Sequence, residues 1–167
     1  MEWGGIRSVI ACDKNDEFLS FLKRSSVITS GDSLKLRIED SEIEICPYKL
    51  LKWICNYGAV HCGTALIEGK ADLKLDLNVP NNHGAFPLHV AASSLSPGLI
   101  ELFLCHGAQA NLTSSEKNAL LPLQIALERV SADKSLIHWT PRHSIFKLVI
   151  ILCLPEMKEA LETNRLL

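Results

Sequence analysis

The stretch "GAFPLHVAA", residues 84–92, decides the fold. Its proline and short apolar run fit three structures: a buried strand, the start of a helix, or one unit of a repeat. Past Phe86 and Pro87 the apolar residues Leu88, Ala91, Ala92 and Leu95 recur at three and four positions, the period of one helix face. Pro87 suits a first helical turn, where its missing N–H costs nothing. Ala91 and Ala92 are small enough to let a second helix approach closely. A break follows at "SSLSPG", and Pro97 opens another helix with Ser96 as its cap. That helix carries Leu99, Ile100, Leu102, Phe103 and Leu104 and stops at Gly107, a natural residue for a helix end. The segment reads as helix, tight turn, helix and glycine stop, not as a strand.

The unit repeats. "LLPLQIALERV" (120–130) copies "AFPLHVAASSL", with Pro122, Leu123, Gln124 and Ala126 matching Pro87, Leu88, His89 and Ala91 at a spacing of 35 residues. Upstream, "KLLKWICNYGAVHCGTALIEGKADL" lies on residues 86–110 without a gap, so that Leu50 falls on Pro87 and Leu66–Ile67 fall on Phe103–Leu104. A fainter copy, "VIACDKNDEFLSFLKR" (9–24), offers Asn15–Asp16 at its turn and Phe18, Leu19, Phe21 and Leu22 on its second helix.

"GAFPLHVAA" followed by "GLIELFLCHGAQAN" resembles an ankyrin repeat, with Gly84, Pro87, Leu88, His89, Ala91, Ala92, Leu102, Leu104, Gly107, Ala108 and Asn111 in register. The other repeats are degenerate: Phe86 and Leu121 replace a threonine, Gln124 the histidine and Lys70 the glycine. The composition is similar to that of plant ankyrin proteins. The resemblance is strong over about 48–130 and weak over 6–24. It implies a mainly α fold, a solenoid of about four stacked helix pairs in a single domain spanning 1–167. The repeats are expected near 6–24, 48–77, 82–114 and 118–154, with a hairpin insertion and a capping helix at 156–166. It also implies that His89 ties its helix start to the adjacent hairpin. With Phe86 in place of the family's hydroxyl, extra packing is expected where that hydrogen bond would be.

Two stretches depart from the repeat. In "SSVITSGDSLKLRIEDSEIEICPY" (25–48), "LKLRI" and "IEIC" alternate apolar and polar residues around "EDSE", a hairpin signature. That hairpin covers a core edge or forms a binding finger. "SADKSLIHWTPRH" (131–143) interrupts the last helix pair with a loop longer than usual. Its Trp139 and Arg142 are side chains favoured as interface anchors, although Trp139 also suits plugging the end of the stack. "HSIFKLVIILCL" then supplies a strongly apolar delayed helix, and "PEMKEALETNRLL" a final amphipathic one.

Composition narrows the chemistry. The 167-residue chain carries 17 Lys+Arg against 19 Asp+Glu, without the basic face that nucleic-acid binding requires. "LVIILCL" is far shorter than the roughly 20 apolar residues of a spanning helix, and the N-terminus lacks a signal-peptide pattern. A cytoplasmic or nuclear protein without membrane contact is expected. The six cysteines show no CxxC spacing and sit in apolar surroundings, as buried hydrophobes do. No G-x-S-x-G, phosphate-loop or H-E-x-x-H motif occurs. His61–Cys62 are neighbours in sequence, which on a helix point in different directions. No cofactor, metal or catalytic residue is expected. A ligand sensor or enzyme built on the 131–143 loop is the weakest alternative.

The resemblance therefore points to a non-catalytic module that binds another protein as scaffold or adaptor, through a concave face and hairpin tips. The tip positions are Asn81, Asn82, His83 and Ala85, then Ser114, Ser115, Glu116 and Lys117. The first-helix positions are Trp53, Tyr57, Val90, Ser93, Ser94, Gln124 and Arg129, and the 131–143 loop adds Trp139 and Arg142. Homo-oligomerisation through the C-terminal helices is the alternative from the same pattern.

Overall fold

The computed structural model describes residues 3–24, 26–30, 33–38, 41–45, 47–70, 75–115, 119–132, 145 and 147–153. Three helix pairs follow one another: α1 (Trp3–Ala11) with α2 (Asn15–Arg24), α3 (Pro47–Tyr57) with α4 (Val60–Ile67), and α5 (Pro87–Ser93) with α6 (Pro97–Cys105). Helix α7 (Pro122–Ala132) begins a fourth unit, and residues 147–153 are again helical. The odd-numbered helices pack in one row, α1 on α3, α3 on α5 and α5 on α7. The even-numbered ones form a second row, α2 on α4 and α4 on α6.

One turn builds every pair. Asp13, Gly58 and Leu95 all take left-handed backbone, with φ of 50°, 64° and 51°. Each donates its N–H to the carbonyl three residues back, and the next residue donates to the carbonyl five back: Lys14 to Val9, Ala59 to Ile54 and Ser96 to Ala91. This double bond pattern satisfies the orphan carbonyls of the first helix and turns the chain straight into the second. The same device ends α6, where Gly107 (φ 88°) bonds Leu104 and Ala108 bonds Phe103. The shift of 37 residues read from the sequence carries Gly58 onto Leu95 and Ala59 onto Ser96, so the two turns coincide. Helix α3, however, begins at Pro47, a full turn before Leu50, and Pro47 rather than Leu50 holds the first-turn place of Pro87 and Pro122.

Between the rows lies a continuous core. Ile6, Ile10, Phe18, Leu22, Leu50, Leu51, Ile54, Leu66, Leu88, Leu99, Ile100 and Phe103 are essentially inaccessible, and Ala91 and Ala92 are fully buried where α5 meets its neighbours. Gly63 sets the α4–α6 spacing: a Cβ there would stand 2.7 Å from Leu99 Cδ2. Cys55 and Cys62 are buried, as expected of small hydrophobes, but Cys12 and Cys105 are exposed at the ends of α1 and α6. Helix ends, with their wide turns, leave those thiols uncovered. Leu148 and Leu152 of the 147–153 helix are buried, and Lys147 reaches Glu101 of α6 at 3.0 Å. The helix pairs, joined by left-handed turns, stack as a mainly α solenoid, the fold class expected from the ankyrin-like pattern. The expected capping helix at 156–166 and the loop holding Trp139 and Arg142 lie outside the described residues.

The insertion is larger than a hairpin. β1 (Ser26–Ser30), β2 (Ser33–Ile38) and β3 (Ser41–Ile45) form a three-stranded antiparallel sheet in the order β1-β2-β3. Ser30 pairs with Ser33 at one end of the β1–β2 ladder, and Ile38 pairs with Ser41 at one end of the β2–β3 ladder. The β2–β3 pair is the alternating segment of the sequence. β1 adds "SVITS", whose β-branched Val27, Ile28 and Thr29 favour a pleated strand.

Candidate functional site

The candidate site is the solvent side of the inner row. On α3 the buried residues Leu50, Leu51, Ile54 and Cys55 face the core, which turns Lys49, Lys52, Asn56 and Tyr57 outward, with Trp53 half-buried among them. These outward positions are three and four residues apart, so they share one helix face. Arg7 of α1 lies over the Trp53 ring with its guanidinium carbon 5.6 Å from the centroid, and the Lys49 ammonium is 5.8 Å from the same centroid. Arg7 also donates to the Tyr57 hydroxyl at 3.3 Å. Cations placed on an indole are attracted by its ring quadrupole. The two aromatic residues expected from the sequence are thus bridged by Arg7, Lys49 lies over the Trp53 ring, and Lys52 is exposed on the outward side of the same helix.

Further along the row, Val90, Ser93 and Ser94 of α5 are partly exposed. The Ser94 hydroxyl donates to Asn56 Oδ1 at 2.9 Å and carries the face from α3 to α5, while the Ser93 hydroxyl folds back onto the Val90 carbonyl at 2.9 Å. On α7, Gln124 and Arg129 are exposed, together with Leu127 and Glu128. Gln124 Oε1 accepts the Leu121 N–H at 2.8 Å, so its carboxamide oxygen is spent on starting α7.

The tip 81–85 is a closed turn. Asn81 Oδ1 accepts the N–H groups of His83 and Ala85, both at 2.9 Å, and Gly84 (φ 79°) donates to the Asn81 carbonyl at 2.8 Å. This leaves Asn82 and His83 exposed, whereas Ala85 is half-covered. Of the second tip, Ser115 is exposed but Ser114 is buried, which corrects its placement as a surface contact. Ser114 donates its N–H to the Leu120 carbonyl, and Ser115 donates to the Gly84 carbonyl, so this strand of the tip is pinned beneath its neighbour. Glu116 and Lys117 lie outside the described residues.

Two braces tie the connections to the inner helices, and a third clamps the end of an outer one. His89 Nδ1 accepts the Phe86 N–H at 3.3 Å and its Nε2 meets the Leu120 carbonyl at 2.9 Å. The first bond fixes the tautomer: Nε2 carries the proton and donates it. The apolar Phe86 therefore removes no bond from this brace, because the imidazole uses the main chain; the Phe86 ring packs on it with centroids 5.6 Å apart. Tyr48 of α3 does the same for the preceding repeat, its hydroxyl donating to the Ala85 carbonyl at 2.8 Å. Ala85 and Leu120 each stand one residue before the first cap of their helices, so tyrosine and histidine serve equivalent carbonyls. Asn78 clamps the end of α6, with Nδ2 on the Gly107 carbonyl at 2.9 Å and Oδ1 accepting the Gln109 N–H at 3.0 Å.

The strongest titratable cluster is elsewhere. The Asp13 carboxylate accepts the N–H of His61 at 3.1 Å and of Cys62 at 3.0 Å, and meets His61 Nδ1 at 2.6 Å. Asp13 thereby caps α4, whose own Ala59 offers no side-chain cap. Burial alone raises its pKa, but the bonds from Cys62 and His61 outweigh that and hold the carboxyl below its ordinary value. Burial, followed by the Asp13 carboxylate, pushes the Cys62 thiol up to about 12. The cluster contains the residue types of a nucleophilic site but arranges them as a helix cap, with the thiol kept protonated. Among the described residues no group of three His, Cys, Asp or Glu side chains is placed to hold a metal ion.

No protein-family model and no curated protein sequence matches the chain. Among solved structures, the crystal structure of the human ASB11 ankyrin repeat domain is similar at a TM-score of 0.42 and 18% identity, over 88% of this chain and 81% of that one.

Proposed function

We propose that the chain is a non-catalytic protein-binding module, acting as scaffold or adaptor through the inner-helix face and the 81–85 tip. The observation that carries this reading is the Arg7–Trp53–Tyr57 arrangement. Tryptophan, tyrosine and arginine dominate the energetics of protein interfaces, and here they form one outward cluster held by contacts between two repeats. A solenoid presents such a surface already formed, so little ordering entropy is lost on binding. Asn82, His83, Ser94 and Arg129 extend the face along the row. Glu116, Lys117, Trp139 and Arg142 belong to the proposed surface on sequence grounds.

The test is affinity capture on the intact chain with mass-spectrometric identification. The wild type is compared with Trp53→Ala/Tyr57→Ala and with an outer-row control, Glu17→Ala/Glu101→Ala. A partner captured by the wild type and the control but lost from the face variant supports the reading. Equal capture by all three proteins overturns it.

A further inference from the structure

Over α1, α3 and α5 the charge of the inner row is one-sided, and further along α7 the exposed Glu128 and Arg129 offset each other. Helices α1, α3 and α5 contain Arg7, Lys49 and Lys52 and no Asp or Glu at all, in a chain whose formal net charge is −2. The outer row is mixed: Lys14 pairs with Glu17 at 2.7 Å, and Glu101 of α6 pairs with Lys147 at 3.0 Å. On the inner face, the described contacts of Arg7 are aromatic, the Trp53 ring and the Tyr57 hydroxyl, and its charge is not neutralised by them. Lys52 stands one position before Trp53 and is exposed. Uncharged but polar Asn56, Ser93 and Ser94 continue the face, with Val90 as an apolar step between them.

We infer that the inner face, taken as the binding face proposed above, selects an acidic segment of a partner protein that also carries aromatic or aliphatic side chains. Its carboxylates meet Arg7 and Lys52, and its apolar side chains lie against Trp53, Tyr57 and Val90. Arginine offers a planar fork that takes a carboxylate through two parallel N–H groups while its face stays on the indole. Opposite charge speeds encounter and excludes basic competitors, and the aromatic contacts slow release. A polypeptide fits better than a nucleic acid. The α1–α3 part of the face supplies three cations on a chain of net negative charge, where phosphate tracking depends on a broad basic stripe.

A phage library of random peptides, roughly twelve residues long as suits a short linear motif, is panned on the full chain. An acidic enriched pool containing aromatic or aliphatic residues is expected. Its consensus peptide should bind Arg7→Glu/Lys52→Glu about tenfold or more weaker than wild type. It should also lose affinity severalfold on the wild type between about 50 and 300 mM salt. Arg7→Gln/Lys52→Gln gives an intermediate loss and serves if the reversal variant unfolds. A neutral or basic pool that is lost on Trp53→Ala overturns the charge preference and leaves the binding face standing. A single-stranded oligothymidylate that binds tighter than the acidic peptide assigns the cations to nucleic acid and overturns the inference. No enrichment on wild type overturns both this inference and the proposed face.

Discussion

His89 and Leu120 sit in successive repeats, and the imidazole joins them by donating its Nε2–H to the Leu120 carbonyl at 2.9 Å. The same ring accepts the Phe86 N–H, so one buried side chain starts helix α5 and anchors the next connection. Tyr48 and Ala85 repeat the arrangement one unit earlier at 2.8 Å. Coupling between repeats in a solenoid is a nearest-neighbour term, so such bonds decide whether the stack unfolds as one body.

His89→Ala leaves two part-buried main-chain groups without this partner and opens a cavity where the buried ring stood, at a cost of about 2–4 kcal/mol. Gln124 performs the cap half of this task on Leu121, so His89→Gln is expected to recover part of the loss. Tyr48→Phe keeps the ring and removes only the hydroxyl, costing about 1 kcal/mol. Urea unfolding followed by circular dichroism measures all three. The brace assignment fails if His89→Ala is no less stable than Tyr48→Phe.

Asp13 provides a pH-dependent contribution with a defined sign. Its folded pKa lies below the ordinary value, so its stabilisation is present above the unfolded pKa and is lost as pH falls through the folded one. Asp13→Ala should cost about 1 kcal/mol at neutral pH, the usual worth of a helix cap. The His61 side chain is 77% exposed, so its ion pair with Asp13 adds little to that figure. In thermal melts the gap between wild type and variant should be constant near neutrality, begin to narrow near the ordinary carboxylate value of about 4 and close only as the pH falls through the lower folded value. A gap that widens with acid would contradict the assignment.

Much of the fold was legible because the pattern of a repeat is local. Pro87, Gly107 and the alanine pair fix one unit, and the 37-residue shift carries its turn onto Gly58 with the hydrogen bonds intact. What escaped the sequence depends on contacts between units. The start of α3 at Pro47 was obscured by alignment on Leu50, since the repeats share a turn but not a helix length. Arg7 lies 46 positions before Trp53, and nothing in "GGIRSVIA" shows that its guanidinium reaches that ring. Trp53 and Tyr57 were legible as outward residues; their cationic neighbours followed only from the stacking of α1 on α3. Ser114 has the composition of a tip, yet the Leu120 carbonyl and the neighbouring turn bury it.

The thiols should divide by environment. Cys12 and Cys105 are exposed, whereas Cys62 is buried with its pKa pushed up to about 12 and Cys55 is buried and likewise raised. The thiolate is the reactive form, so iodoacetamide at about pH 8 should label Cys12 and Cys105 in the folded chain and leave Cys55 and Cys62 intact until denaturant is added. Peptide mapping by mass spectrometry gives the order. Labelling of Cys62 as fast as Cys12 in the folded chain would refute the capped, protonated thiol.

The two tip positions three residues before a helix-opening proline give opposite expectations for glycine and alanine. Gly84 has φ of 79° and its carbonyl accepts the Ser115 N–H; a Cβ there would stand 2.5 Å from Ser115 Cβ and 3.0 Å from its backbone. Gly84→Ala therefore combines left-handed strain with a clash against main chain that cannot rotate away, costing about 2–4 kcal/mol. Ala119, the matching residue before Pro122, is exposed and already left-handed at φ 45°. Ala119→Gly relieves about 1–2 kcal/mol of that strain. It also gives back about 0.4–1 kcal/mol through the freer unfolded chain. The net change is small and stabilising, so the melting temperature should hold or rise slightly where Gly84→Ala lowers it by several degrees. If Ala119→Gly destabilised the protein as much as Gly84→Ala, backbone conformation would not be what distinguishes these turns.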